Sequence, residues 1–276
     1  MTTRFTFALI LALGVVMMGA HRAHAARPCP PDINCSGQVN VNDLLAVISA
    51  WGQTNTPANV NGLGAVDVDD LLAVISAWGD CHFNFGPVYP NAEAWQIGLE
   101  FVTTLTLPQA TYIRIDRDLG LIRTAFPALA SQTHTMAWAP NQLIVAKVQG
   151  QDHTDYNCTN TYYQMTTEAP LFSSGGVDYV VVTFAGKLNV EALAAIYSTL
   201  PGINFAEPNG LIGGENFWTP SILISPVGSW RWNIDDGFLD CFDGCDCHRV
   251  YTIDTDLAGN VTLVDLQQFG QSWCRF

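Results

Sequence analysis

The residues best placed for chemistry are Asp32, Asn34, Ser36, Gln38, Asn40 and Asp43, at positions 1, 3, 5, 7, 9 and 12 of a twelve-residue stretch with Gly37 at position 6. Oxygens at alternate positions converge on one centre as a chain curls, and a glycine sixth in line lets the backbone turn with positive φ. Gln38 contributes its backbone carbonyl. This is the frame of an EF-hand loop, and its chemistry is coordination of a hard cation, Ca2+. Asp43 stands where that frame usually has a bidentate glutamate, and it also suits the N-terminus of the helix it opens.

The element that positions the loop is written twice. Asp43-Leu-Leu-Ala-Val-Ile-Ser-Ala-Trp51-Gly52 returns letter for letter at Asp70-Leu-Leu-Ala-Val-Ile-Ser-Ala-Trp78-Gly79, 27 residues on. A short amphipathic helix cannot bury its apolar face alone, so a twin is expected to complete the unit. Before the second helix Asn59, Asn61, Ala65 (through its carbonyl), Asp67 and Asp70 occupy positions 1, 3, 7, 9 and 12, but position 5 is Leu63, which cannot coordinate a cation. The second loop is therefore expected to bind more loosely. With two carboxylates in each frame, the ligand charge predicts affinities in the extracellular range, Kd about 10⁻⁴ to 10⁻³ M.

Two loop-plus-helix halves with aspartate at position 12 in both resemble the duplicated dockerin type I module of secreted bacterial proteins, over residues 29–81. The resemblance implies a small non-catalytic calcium module that docks on a cohesin-like protein or otherwise tethers its carrier to a cell surface. The family's recognition positions 10 and 11 are Val41-Asn42 and Val68-Asp69 here, where Ser-Thr pairs are common.

Composition limits the alternatives. With 276 residues, 49% hydrophobic and 13% charged, the chain has the make-up of a folded protein of one or two domains. Residues 1–25 stand apart: Arg4 in a basic start, apolar Phe7–Ala20, and the small-x-small site Ala23-His24-Ala25 read as a secretory signal peptide, too short for a membrane span. The mature chain is then secreted or at the cell surface, extracellular or periplasmic. Without Arg4 and Arg22 it has nine basic residues against 25 acidic, a net charge of −16, and its only lysines are Lys147 and Lys187. Such a balance repels nucleic acid and anionic membrane surfaces and favours divalent cations.

In an exported chain the eight cysteines read as disulfides. Cys29 and Cys81 flank the duplicated unit and are the first choice of pair, with Cys35 competing for the same partner. Cys241, Cys245, Cys247 and Cys274 form a second cluster, where His248 could complete a zinc site; disulfides suit the compartment better. Asp254, Asp256, Gly259, Thr262 and Asp265 match a third calcium frame, with Leu266, Phe269 and Trp273 as a following helix face. The flanks Val250-Tyr-Thr-Ile and Val261-Thr-Leu-Val alternate as strands, so a hairpin is the reading taken.

Residues 83–138 read as a β-rich connecting region: Trp95–Leu107 and Thr111–Phe126 carry alternating and β-branched residues, and Ile113–Arg123 reads as a hairpin about Asp118–Gly120, with a helix over Leu119–Ala130 as the alternative. Strands are expected at Asn141–Val148, Val177–Ala185 and Ile203–Ala206, with a helix over Val190–Leu200 stopped by Pro201-Gly202. Leu200-Pro-Gly202 and Ala206-Glu-Pro-Asn209 are similar to the end of a subtilisin-like protease propeptide, which implies a ferredoxin-like region over 139–214 able to chaperone or inhibit a protease. No protease boxes follow it. The fold class expected is α+β: a small all-α duplicated module over 26–82, then an α+β domain with a ferredoxin-like half and a disulfide-rich β segment over 215–276. Glu168, Glu191 and Glu207 have no spacing that marks an acid pair, and no catalytic residue is assigned. His82, His134 and His153 are read as surface or packing residues. The function expected is non-catalytic docking or tethering with Ca2+ bound. The alternatives are a protease inhibitor, a structural surface protein, or an accessory component of polysaccharide degradation.

Overall fold

The structure, a computed structural model, describes residues 27–210, 216–238 and 245–274. The signal-peptide reading of 1–25 and the cysteine at 241 lie outside the described residues. The chain is α+β with antiparallel sheets. Among the described residues no helix is long and apolar enough to cross a membrane.

The repeated sequence forms helices α1 (Val41–Ser49) and α2 (Val68–Ser76). Both start in the same way. The side-chain oxygens of Asn40 and Asp67 accept the N–H groups of Asn42 and Asp69 at 2.9 Å. Asp43 and Asp70 reach back to the N–H groups of Asn40 and Asp67 at 2.9 and 3.0 Å, completing a capping box on each helix.

The two halves clamp each other. Strand β1 (Gln38–Val39), at positions 7 and 8 of the first loop, pairs antiparallel with β2 (Gly79–Asp80), which follows α2, with Val39 opposite Gly79. In the second loop Val66 accepts from Gly52 N–H and donates to the Gln53 carbonyl, both at 2.9 Å, in the stretch that follows α1. Each loop is thus held by the chain leaving the other helix. The two helix-ending glycines make this possible, at φ +77° for Gly52 and +124° for Gly79. Val39, Val66, Val47 and Val74 close a small core with Leu44 and Leu71 packed against it. The Cys29–Cys81 disulfide joins its ends across 52 residues. Closing a loop of that length contributes about 4 kcal/mol on the chain-entropy model.

Residues 83–138 correct the expectation of β structure, since they form α3 (Ala92–Phe101), α4 (Gln109–Ala125) and a 3₁₀ turn at Pro127–Leu129. The physical reasons differ. Helix α3 is buried from Ala94 through Leu99, so it lacks the polar face that would reveal a helical period. In α4 the alternation Ile113-Arg-Ile115 mimics a strand, yet the residues that become buried are Tyr112, Ile115, Leu119 and Ile122, at helical spacing, while Ile113 faces solvent.

Next come β3 (Trp138–Val148), α5 (Thr154–Tyr162), β4 (Met165–Ser174), β5 (Val177–Phe184), α6 (Val190–Tyr197) and β6 (Ile203–Gly210). Their sheet has the order β4-β5-β3-β6 with each neighbouring pair antiparallel. The strands and helix expected from sequence lie on β3, β5, β6 and α6. A second sheet is an antiparallel meander of β7 (Asn216–Ile222), β8 (Trp230–Phe238), β9 (Cys247–Thr255) and β10 (Val261–Gly270). Thr255 faces Val261 across the last turn, so 254–265 is a hairpin, and Leu266 and Phe269 lie in a strand. Cys247 is bonded to Cys274, and Cys245 is also in a disulfide.

Side chains from both sheets and from α3 and α4 share one core. A buried polar knot fastens α4 to the second sheet. Asp118, fully buried, accepts from Arg114 Nε at 2.7 Å, Arg117 Nη2 at 2.8 Å, Thr255 Oγ1 at 2.6 Å and Trp232 Nε1 at 3.3 Å.

Candidate calcium loops and the exposed helix faces

In the first loop hydrogen bonds gather all six expected residues. Asp32 Oδ1 accepts from Ser36 N–H at 2.9 Å and Oδ2 from Gly37 N–H at 2.7 Å. Asn34 Oδ1 also accepts from Ser36 N–H, at 3.0 Å. Ser36 Oγ and Asn40 Nδ2 both donate to the carbonyl of Gln38, at 3.0 and 3.3 Å. Asp43 Oδ1 accepts from Ile33 and Asn34 N–H at 2.9 and 3.2 Å. The turn needs Gly37 at φ +82°, as its position predicts.

The second loop repeats the scaffold with fewer oxygens. Asp70 Oδ1 and Oδ2 accept from Asn61 and Asp67 N–H, each at 3.0 Å. Asn61 Oδ1 accepts from Leu63 N–H at 2.7 Å, and Asn59 Nδ2 donates to the Gly64 carbonyl at 3.0 Å. The Leu63 side chain turns to solvent, 72% exposed. Ala65 brings only its backbone to position 7.

These residues suit a hard cation. They are carboxylates, amides and carbonyls, and a carboxylate oxygen that accepts one N–H keeps lone-pair capacity for a metal. Asn59 Oδ1 is buried and has no hydrogen-bond partner, the kind of orphaned acceptor that a cation at position 1 would satisfy. No cluster of three His, Cys, Asp or Glu side chains suited to a metal occurs among the described residues, and each loop frame holds two acids.

The outer faces of both helices are apolar and exposed. Val41, Leu45, Ile48 and Trp51 form a stripe at helical spacing, and every one is 52% exposed. Val68, Leu72, Ile75 and Trp78 repeat it at 49 to 54%. The twin helix was expected to cover these faces. Instead the helices meet through the opposite side, around Val47 and Val74, and present two apolar stripes to solvent. Apolar residues fall on both sides of each helix, so the signal was there in a run with too few polar positions.

Matching against known family models, curated proteins and solved structures finds nothing similar.

Cys35 does not compete for Cys29 or Cys81: it is bonded to Cys158 in α5, across a sequence separation of 123. Around that bond Arg27 Nε pairs with Asp155 at 2.7 Å, and Arg27 Nη1 donates to the Ile33 carbonyl at 3.4 Å. His248 Nδ1 is held by Asp235 at 2.9 Å and Nε2 by the Cys245 carbonyl at 3.0 Å, while Cys245 and Cys247 are in disulfides. Among the described residues no group of three His, Cys, Asp or Glu is placed to hold a metal there. The three histidines read as surface or packing residues have partners: His82 pairs with Asp80, His153 Nε2 with the Gly202 carbonyl at 3.2 Å, and His134 Nε2 with Glu100 at 2.8 Å.

Proposed function

We propose that this is a secreted, non-catalytic protein whose duplicated module binds Ca2+ and docks on a protein partner through the two exposed helix stripes. The observation that carries the reading is the pair of stripes, repeated residue for residue on helices whose starts are set by the loops. In the dockerin-like reading, Asp32, Asn34, Ser36, Gln38 (carbonyl), Asn40 and Asp43 would hold one cation. Asn59, Asn61, Ala65 (carbonyl), Asp67 and Asp70 would hold the second. The ion would supply charge neutralisation that fixes the helix starts, and hence the spacing of the stripes.

The partner's chemistry follows from the module's surface. Its charged residues are six aspartates and Arg27, and Arg27 is buried against Asp155. A matching surface is apolar and rimmed by Lys or Arg, because opposite charge around an apolar contact steers association. The disulfides fit an oxidising compartment, which agrees with export.

The test uses the full mature chain as bait for culture supernatant and cell-envelope proteins of the source organism. The reading expects one protein retained with calcium, released by chelator, and lost with Leu45→Glu/Leu72→Glu, a variant that keeps the parental thermal midpoint. Retention by the double variant, or indifference to chelator, overturns it.

A second reading has an observation of its own. The order β4-β5-β3-β6 over a βαββαβ chain is what a ferredoxin-like region requires, in line with a propeptide-like role for 139–214. On that sheet Phe172 stacks on Tyr179 at 4.3 Å, and Tyr179 meets Phe205 at 5.9 Å across Ala146, giving an aromatic strip. An inhibitor would use that strip against a subtilisin-like protease. Slowed casein hydrolysis at micromolar protein, abolished by Phe172→Ser, would move the assignment to this reading.

A further inference from the structure

A cavity of about 440 Å³ opens between α3, the segment leading into β3, the start of α6 and β7. Its size is that of a small-molecule site. Four aromatic rings line it, those of Phe101, Trp138, Phe217 and Trp218, together with the carboxylates of Glu100 and Glu191 and the ring of His134. No Lys or Arg is among the lining residues.

The hydrogen bonds decide which of these groups can meet a ligand. Trp218 N–H donates to His134 Nδ1 at 3.1 Å, so the imidazole proton sits on Nε2, which donates to Glu100 Oε2 at 2.8 Å. Both ring nitrogens are used and the ring is neutral in this arrangement. It neither serves as a free base nor cancels the charge of Glu100. Glu100 Oε1 accepts from Gln96 Nε2 at 2.6 Å and Ala137 N–H at 3.1 Å, so its carboxylate is locked in place. Glu191, exposed in the first turn of α6, has no side-chain hydrogen bond or ion pair to another described residue. The cavity therefore joins an aromatic lining to one fixed and one uncommitted negative charge. Trp218 already acts as a platform for a cation, since the Arg123 guanidinium lies 4.9 Å from its ring centre.

We propose that this cavity binds an organic cation, an alkylammonium or guanidinium head on an apolar stem. Aromatic faces and carboxylates together favour a positive head over a neutral one, while the apolar lining takes up the stem. The chain's net charge of −14 draws such ligands in. The head could arrive as a free amine or as a basic side chain of a polypeptide, and the site chemistry is the same for both.

The experiment is calorimetric titration of the full mature chain with n-butylammonium and with Nα-acetyl-lysine N-methylamide, against the neutral isostere 1-butanol and against methyl glucoside. Both neutral compounds are expected to bind at least about fivefold more weakly than the better cation, the effect of one charge contact in a watery setting. Glu191→Gln is expected to lower cation affinity by about the same factor and to leave butanol unchanged. Asp69→Asn, which removes one negative charge from the module, should leave both unchanged. Tighter binding of the lysine amide assigns the site to a polypeptide side chain, and tighter binding of butylammonium to a free amine. The proposal is overturned if butanol or methyl glucoside binds as well as the cations, if Glu191→Gln leaves cation affinity unaltered, or if neither cation binds in the millimolar range.

Discussion

Cys35, fourth residue of the first candidate loop, is covalently joined to Cys158 in helix α5. Its backbone takes φ +58°, a left-handed conformation that costs a non-glycine residue of order 1 kcal/mol. The loop is therefore fastened to the main body at the turn that would wrap the cation. Arg27, paired with Asp155 and bonded to the Ile33 carbonyl, reinforces the same junction.

A consequence is that calcium should stabilise more than the module. With the disulfide intact, calcorimetric unfolding is expected to show the transition of the main body rising with calcium. In Cys35→Ser/Cys158→Ser the calcium shift should be confined to a separate, lower transition. An equal shift of the main transition in both proteins would show that the disulfide does not transmit it.

The loops themselves are expected to differ. An ion that binds only the folded form adds RT ln(1 + [L]/Kd), about 1.4 kcal/mol at ~1 mM calcium for a Kd near 10⁻⁴ M. Asp32→Ala deletes a charged position 1 oxygen and with it the bonds to Ser36 and Gly37, so most of the calcium-dependent rise in midpoint should go. Asn59→Ala removes a neutral amide and should cost less. Thermal unfolding in calcium and in chelator, for both variants, gives the comparison; a larger loss from Asn59→Ala would reverse the ranking of the loops.

The exposed stripes allow stability and binding to be separated. Val47 is fully buried, and Val47→Ala should cost about 1–3 kcal/mol through lost packing and the cavity left behind. Leu45, half exposed two residues earlier, should tolerate Leu45→Ala within about 0.5 kcal/mol. Denaturant unfolding of the two variants checks this, and a large loss at Leu45 would mean that its face is covered within the folded chain.

What could be read from sequence follows the range of the interactions involved. The loop frames and the Cys29–Cys81 pair are set by residues within or at the ends of one repeated unit, so their spacing carries them. The reciprocal clamp between Val39 and Gly79, and between Gly52 and Val66, is a relation between the two copies. The repeated Trp-Gly ending was its only trace. Helix α3 was misread because burial on nearly all sides erases the polar face, and α4 because Arg114, Arg117 and Asp118 interrupt its apolar period. Those charges are there for partners more than a hundred residues away: Arg114 donates to the Gly228 and Thr255 carbonyls, at 2.8 and 3.0 Å. The cavity beside His134 draws its lining from α3, α6 and β7, which no local pattern connects.

The knot at Asp118 should be among the least tolerant positions of the main body. Removing one partner of a buried ion pair leaves the others uncompensated, and Asp118→Ala would strand the guanidinium groups of Arg114 and Arg117 as well as the donors of Thr255 and Trp232. A loss of about 3–5 kcal/mol is expected. Asp118→Asn keeps the shape and part of the acceptor capacity, so it should lose less. Urea unfolding of both variants tests the order, and near-wild-type stability of Asp118→Ala would mean that packing alone joins α4 to the second sheet.

The last expectation concerns alkaline pH. Tyr156, Tyr163 and Tyr197 are buried together between α5, α6 and the first sheet, with Tyr156 edge-on to Tyr197 at 5.9 Å. Tyr156 donates to Glu168 Oε2 at 2.6 Å, and Tyr197 to Asn160 Oδ1 at 2.6 Å. Burial holds the phenol protons of all three, pushing Tyr163 up to about 12 and raising Tyr156 and Tyr197 above the ordinary value of 10.0, with Glu168 adding to the rise at Tyr156. The sign follows from linkage. These groups keep their protons in the folded chain after the unfolded chain has lost them, so their contribution to stability is complete below pH 10 and drains away as pH climbs through the folded values. Stability should therefore fall steeply above about pH 10. In the folded protein the three phenols should stay silent in an absorbance titration until unfolding exposes them, and should then ionise together with the loss of tertiary signal. Tyr163→Phe, which deletes one of these protons without changing the ring, should make the alkaline decline shallower. If all eight tyrosines instead titrate near pH 10 while the tertiary signal is intact, the three rings are not sealed in the core as the structure has them.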